Sequence, residues 1–331
     1  MITIWQRSNG KLVRKEKIEQ NDVQKTWVDA RSVTESDIAQ LEADYAIEHE
    51  HMADILDPDE LSRIEGTDTY TLVIVRLPIF IQSAEIPYFT IPLGIIIKEN
   101  LIITICGTDC EVLTDFTEDK VKEISLSDFP AFIIQILSRA DITFLRYLKE
   151  INRKSAGIQK ELQVSIENKE IIQLLNLEKS LEFFTTSLSN NQLLLEKFRK
   201  TKLIKLDADD QDRLDDVEID NRQAIGMADT YSNILSGMMD AFASVISNNL
   251  NIVMKKLTII SLIIMLPTFV VSFFGMNIPL PFSNSGWAGM IIISLICLCV
   301  TVFARFLFKE KSTLQNCSTM KKKSGPEDTI Q

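Results

Sequence analysis

Histidine is nearly absent from this 331-residue chain. His49 and His51 are the only two, which excludes a His-rich catalytic metal centre. Eleven Gly and nine Pro supply few turns, which argues against an all-β protein. The five Cys (106, 110, 297, 299 and 317) contain no C-x-x-C pair and read as reduced structural residues rather than a zinc site or disulfide framework. No G-x-x-x-x-G-K-[ST] or G-x-G-x-x-G occurs, so nothing cradles a nucleotide phosphate. No nucleophile-base pair stands out either, and the chain reads as no enzyme. With 35 Lys+Arg against 46 Asp+Glu, the net charge of −11 argues against a general nucleic-acid binder.

The hydrophobicity sits mostly at one end. Leu257 to Phe274 (LTIISLIIMLPTFVVSFF) carries no charge, and Trp287 to Phe308 carries only Arg305 near its end. At about 1.5 Å per residue, each run can cross roughly 30 Å of hydrocarbon. The opening MITIWQRSNGKLVRKEK is too charged for a secretory leader, so the long N-terminal portion is expected on the side of synthesis. Lys255 and Lys256 precede the first run, while Arg305, Lys309, Lys311 and Lys321 to Lys323 end or follow the second. The connecting residues 275–286 hold no charge. The positive-inside rule therefore predicts a multi-pass protein of the cell membrane with both termini cytoplasmic and a short external loop.

Residues 1–128 read as a mixed α/β domain. Strands are expected over Tyr70 to Leu77, Tyr88 to Ile97 and Leu101 to Cys106, with a hairpin turn at Glu99-Asn100, and helices near Glu35 to Ile55 and after Asp109. Glu48-His49-Glu50-His51 alternates along a helix, which splays its side chains and predicts a solvated face rather than a metal site. Residues 129–212 read as an antiparallel helical arm. Its seam is Leu174, Leu177, Leu181, Phe184, Leu188, Leu195 and Phe198, and a break falls at Thr201 to Ala208. Eight carboxylates lie between Asp207 and Asp220, a run that ordinarily marks a solvated face.

A stalk helix over 213–274 is expected to run unbroken into the first span, since no Gly or Pro lies between Gly237 and Pro267. Asp216 to Phe274 would span about 85 Å. Along it Asp240, Ser244, Ser247, Asn251, Met254, Thr258, Ser261, Met265, Thr268 and Ser272 alternate steps of four and three, a seam of small, polar and thioether side chains. Within a bilayer, a polar stripe should face protein or water. It reads either as close packing through small residues or as the lining of a pore built from several copies, because two spans per chain cannot enclose a channel. In the second case Met254, Leu257 and Met265 would form apolar constrictions.

Phe274-Gly275-Met276-Asn277, directly after a charge-free span and before a short loop and a second span, resembles the aromatic-Gly-Met-Asn tetrad of the CorA family of magnesium channels. Phe274 stands where that family usually has Tyr. The stretch DAFASVISNNLNIVMKKLTII is similar to the family's stalk helix, with Asp240, Asn251, Met254 and Leu257 at its pore-lining positions. The resemblance implies a funnel-shaped homopentamer: an α/β cytosolic domain, a long stalk helix and two C-terminal transmembrane helices, divided as 275–286 external loop, 287–308 second span and 309–331 basic cytosolic tail. It implies passive, potential-driven uptake of Mg²⁺, with Co²⁺ or Ni²⁺ as further cargo, and no cofactor beyond Mg²⁺ itself. Gly275, Met276 and Asn277 would form the selectivity filter. A ring of Asn carboxamides suits an ion that dehydrates reluctantly, since it binds the water shell without a deep Coulomb well. Gly275 would let the backbone leave the helix, and Ser247, Ser261, Thr268 and Ser272 would line the path.

The same resemblance implies gating by intracellular Mg²⁺ bridging carboxylates of neighbouring subunits, with Asp216 and Asp54 as the matching acids. One departure is the external loop, which lacks the acidic residue many members carry and so loses an electrostatic attraction for cations. A zinc or proton-coupled transporter of the same superfamily, whose tetrad typically has Ile at Met276, and a membrane-anchored scaffold remain the alternative readings.

Overall fold

The computed structural model describes residues 1–8, 11–16, 26–99, 101–122, 124–164, 168–276 and 286–323. β1 (Ile2–Ser8), β2 (Lys11–Lys15) and β3 (Thr26–Arg31) precede α1 (Glu35–Tyr45) and α2 (His49–Leu56). Then come β4 (Arg63–Gly66), β5 (Thr71–Phe80), β6 (Tyr88–Lys98), β7 (Leu101–Cys106) and α3 (Glu111–Thr117). Four long helices follow: α4 (Phe129–Val164), α5 (Asn168–Lys200), α6 (Ala208–Phe274) and α7 (Trp287–Lys323). Contacts divide the chain into two units, Met1–Asp240 and Ala241–Gln331.

Among the described residues of the first unit, the strands form one sheet in the order β2-β1-β3-β7-β6-β5-β4. Only the β3–β7 pair is parallel, Trp27 standing opposite Ile102 and Ala30 opposite Ile105. Alternate residues go to opposite faces. Val28, Leu72, Ile74, Ile96 and Ile103 pack under α1 and α2 with Leu41, Met52 and Ile55. Trp27, Val73, Val75, Leu93 and Ile95 pack on the other face with Phe116 of α3, Phe132 and Ile136 of α4, Leu195 and Phe198 of α5, and Leu214 and Val217 of α6. Coverage of both faces explains why β5 and β6 read as nearly continuous apolar runs, with Arg76 the one charge within β5. The predicted seam of α5 is buried at every position from Leu174 to Phe198 named above.

The three expected strands form, but four others do not announce themselves in the sequence. β2 is KLVRK and largely exposed. β3 carries Asp29, buried and paired with Arg31 at 2.8 Å. The expected helix near Glu35 to Ile55 is two helices. Thr34 caps α1 by accepting from the Asp37 amide while the Asp37 carboxylate takes the Thr34 N–H. The helix then stops at Ala46, whose φ of 50° is left-handed. Glu99 of the expected hairpin turn also has a positive φ, 52°, while Asn100 lies outside the described residues.

A buried polar knot ties the sheet to α5. Asn191 accepts the Arg76 amide at 3.0 Å and donates to the Arg76 carbonyl at 2.9 Å, and Ser62 donates to the same Asn191 oxygen at 2.7 Å. The Arg76 guanidinium donates to Thr90 Oγ1 (2.8 Å), the Glu60 carbonyl (2.9 Å) and the Pro58 carbonyl. Burial holds its pKa below the usual arginine value, with Asp59 and Asp57 opposing.

Gly94 of β6 lies under α2 so closely that an added Cβ would stand 2.4 Å from Ile55 Cδ1 and 2.5 Å from its Cγ1. Gly94→Ala is expected to destabilise the fold by about 1–3 kcal/mol, the usual cost of overpacking against a β-branched neighbour. Thermal unfolding of the purified chain measures it.

Candidate ion path and cytosolic carboxylates

Asp240, Ser247, Asn251, Met254, Leu257, Ser261, Met265, Thr268 and Ser272 all lie on the single helix α6 and all are exposed. Spacing in steps of four and three keeps successive members of the series near one another along the helix, on a stripe that drifts by about 20° per heptad if the helix is straight. Counted back from Asp240 in the same steps, the register passes Gly237, Asn233, Thr230, Gly226, Gln223 and Ile219 and reaches Asp216. Each of these is exposed as well. The positions α6 buries in the first unit are others: Leu214, Val217, Asn221, Ala224, Ala228 and Leu235. Asn221 donates from Nδ2 to the Leu188 carbonyl at 3.1 Å and to Gln192 Oε1 at 3.0 Å, which fixes that rotation of α6 against α5.

One premise about the stripe needs correction. Thr258 and Thr268 donate their hydroxyls to the Met254 and Ile264 carbonyls, both at 2.8 Å. These hydroxyls are satisfied on their own helix, so they do not by themselves require water or protein. The exposed face that carries Asp240 and Asn251 does not depend on them.

α6 ends at Phe274, where the Gly275 amide donates to the Val271 carbonyl at 3.0 Å and the Met276 amide to Phe273 at 3.4 Å. A Cβ on Gly275 would meet the Val271 carbonyl oxygen at 3.3 Å, a tight approach. Asn277 lies outside the described residues. On α7, whose side chains are described to Phe306, Gly289 and Ala304 are buried, and the Cys297 thiol donates to the Pro267 carbonyl at 3.9 Å. Cys106, Cys110, Cys297 and Cys299 are free thiols.

The two expected regulatory acids are separate within the chain. Asp216 lines a cleft of about 310 Å³ between α6 and α4, together with Lys122, Ser138, Arg139, Arg213 and Asp220. Two of the cleft's cations are committed to Asp115. Burial would raise that carboxyl's pKa, but hydrogen bonds from Lys120 and Arg139 outweigh it and hold it below the ordinary aspartate value. Asp54, on α2, is not among the cleft's residues and is bonded to Arg63, Nη2 to Oδ2, at 2.6 Å. Among the described residues, no group of three His, Cys, Asp or Glu is placed to hold a metal ion. His49 and His51 are indeed splayed: His49 pairs with Glu42 at 2.7 Å. His51 departs from the solvated face expected for it, because it is buried with Nδ1 2.6 Å from the Tyr70 hydroxyl.

Sequence reasoning missed Asp141 of α4. It is buried. Burial pushes its pKa well above the ordinary aspartate value, and Asp220 adds to the shift.

The CorA-like Mg²⁺ transporter protein family model matches residues 23–310. The chain belongs to the CorA-like Mg²⁺ transporter family. It is 25% identical over 293 residues to the cobalt/magnesium transport protein CorA of Methanocaldococcus jannaschii, covering 87% of this chain and 91% of that one. The complete CorA structure from that organism superposes with a TM-score of 0.78 at 23% identity, over 93% of this chain and 97% of that one. Full-length CmaX shares the fold at a TM-score of 0.65 and 16% identity, over 93% and 96% of the two chains. The CorA-like fold accounts for a soluble α/β portion, a long helix and two apolar helices, over Ala208–Phe274 and Trp287–Phe306, long enough to cross a membrane.

Because the folded-state pKa of Asp141 lies above the unfolded one, the acid costs no stability below the unfolded value. The cost grows as pH rises toward the folded value. Asp141→Asn is therefore expected to raise the melting temperature by several degrees near pH 7.5, with the gain vanishing toward pH 3.5. A series of thermal melts across that range tests it.

Proposed function

We propose that this CorA-family chain conducts Mg²⁺ passively into the cytoplasm as a homopentamer whose α6 helices surround the ion path. The observation that carries the reading is the Phe274-Gly275-Met276-Asn277 tetrad at the end of a helix whose sequence sets Asp240, Ser244, Ser247, Asn251, Thr258, Ser261, Thr268 and Ser272 in steps of four and three. Gly275, Met276 and Asn277 form the filter. A ring of Asn277 side chains accepts hydrogen bonds from waters of the Mg²⁺ shell, and Gly275 closes the helix tightly enough to present backbone carbonyls beside it. Asp240, Asn251 and Thr268 are later stations, and Met254, Leu257 and Met265 narrow the path with apolar side chains that can dewet. Co²⁺ and Ni²⁺, of similar size and hydration, are secondary cargo. No resident cofactor is required, because the membrane potential supplies roughly 2.3 kcal/mol per charge per 100 mV. Both termini lie in the cytoplasm, with the basic tail held there by its lysines.

Intracellular Mg²⁺ closes the channel by bridging Asp216 of one copy to Asp54 of the next. The donor set fits: both are carboxylates with partly or fully exposed oxygens, and Mg²⁺ binds through one or two carboxylates while keeping several waters. Their separation within one chain suits a site completed between copies. Without the ion the facing acids repel and loosen the interface.

Mg²⁺ entry into proteoliposomes under an inside-negative potential is expected for the native chain and reduced to the rate of empty vesicles for Asn277→Ala. Zn²⁺ entry that requires a proton gradient would move the chain to the zinc branch of the superfamily. Absence of any divalent flux would favour the anchored scaffold. Asp216→Asn is expected to keep the flux while weakening its inhibition by Mg²⁺ on the cytoplasmic side.

A further inference from the structure

The Asp54 carboxylate already has a cation on it. Arg63, the first residue of β4, donates from Nη2 to Asp54 Oδ2 at 2.6 Å, from Nε to Glu65 at 3.2 Å and from Nη1 to Glu60. One guanidinium thus serves three carboxylates from three places: α2, the loop after it, and β4. The cluster is partly open to solvent, with side-chain exposures of 24% for Arg63 and 32% for Asp54. The loop itself is clamped from below, because the buried Arg76 guanidinium holds the carbonyls of Pro58 and Glu60. The backbone carrying Glu60 is therefore fixed, and because the guanidinium is a rigid plane held by Glu60 and Glu65, it is the Asp54 side chain on α2 that must turn away for the pair to open.

We propose that Arg63 is a built-in competitor for the divalent cation at Asp54, setting the Mg²⁺ concentration at which the cytosolic carboxylates are bridged. The proposal rests on the reading of Asp54 as a regulatory ligand and goes beyond it by naming what the metal must displace. A metal or its bound water needs the Oδ2 lone pairs that Arg63 occupies, and a dication beside a guanidinium at that distance is repelled. Glu60 and Glu65 keep the guanidinium paired when Asp54 turns from it to the metal, so exchange costs one hydrogen bond of three rather than stranding a charge. A low-affinity sensor follows: Mg²⁺ binds only when abundant enough to outcompete a tethered cation.

The test uses the full chain purified in detergent, digested with chymotrypsin across a Mg²⁺ titration, with Mg²⁺ as the only probe. A variant that melts well below the native chain without Mg²⁺ is replaced by Arg63→Met, which keeps the apolar stem. For Arg63→Gln the Mg²⁺ concentration giving half-maximal protection is expected to fall about two- to fivefold, the range for losing one partly exposed ion pair. Arg63→Lys, which keeps a tethered cation, is expected to stay near the native midpoint. An Arg63→Gln midpoint equal to or above the native one overturns the proposal, as does an Arg63→Lys midpoint lowered as far as that of Arg63→Gln. An Asp54→Asn chain with the native midpoint overturns instead the assignment of Asp54 as a ligand, and the two failures are thereby told apart.

Discussion

The apolar lengths of α6 and α7 find almost no cover within their own chain, and much of the architecture answers to that constraint. The most hydrophobic eighteen-residue window of α6 contains no buried residue. Leu257, Ile260, Ile264, Met265, Phe269 and Val271 all remain more than half exposed, as do Met290, Ile291, Leu295, Leu298, Val302, Phe303 and Phe306 of α7. Covering a side chain of this size is worth about 1.5–3 kcal/mol, so a surface this large cannot stay in water. Hydrocarbon in turn demands that backbone groups be satisfied within the segment, which leaves the helix as the form available to two spans. Thr258 and Thr268 conform by bonding back to their own helix.

Charge follows the same division. Of the forty-six acidic side chains only three, Glu310, Glu327 and Asp328, come after Asp240, and residues 241–309 contain none. With eight Lys and Arg also lying after Asp240, the N-terminal unit carries 27 basic against 43 acidic side chains, a net charge of −16, and the remainder is net +5. There the acids are partly neutralised in local clusters, Arg63 among Asp54, Glu60 and Glu65, and Arg199 with Asp215 and Glu218. An excess of like charge on one unit is a self-repulsion that assembly would concentrate, and a diffusible divalent cation is the natural species to relieve it.

Much of this was legible in the sequence because it is written as periodicity. β5, β6 and β7 appear as apolar runs bounded by turns, the α5 seam as a three-four repeat, and the spans as long apolar stretches with no charge or only Arg305. What escaped is non-local or locally inconsistent. β3 pairs in parallel with β7 across some seventy residues of chain, as the Trp27–Ile102 register shows, and its buried Asp29 contradicts a strand pattern until Arg31 is seen beside it. The break between α1 and α2 falls on Ala46, a residue with no intrinsic preference for the left-handed conformation it adopts. The Glu-His-Glu-His run, splayed along a helix, predicts a solvated face, yet His51 is buried with Tyr70, nineteen residues on, as its partner. Asp54 could be matched by motif without any hint of the cation that occupies it.

On the proposed reading, each chain carries two half-sites rather than one site, and that poverty is what makes them useful. A complete site of three or four carboxylates within a chain would bind Mg²⁺ whatever the neighbouring copy did, and occupancy would report nothing about assembly. A single aspartate on an exposed helix face, or one already paired with an arginine, binds the ion weakly alone. Two such halves brought together supply two oxygens and leave room for the waters that Mg²⁺ gives up reluctantly. Affinity then depends steeply on the distance between copies, and by linkage the ion favours the arrangement that brings them closest.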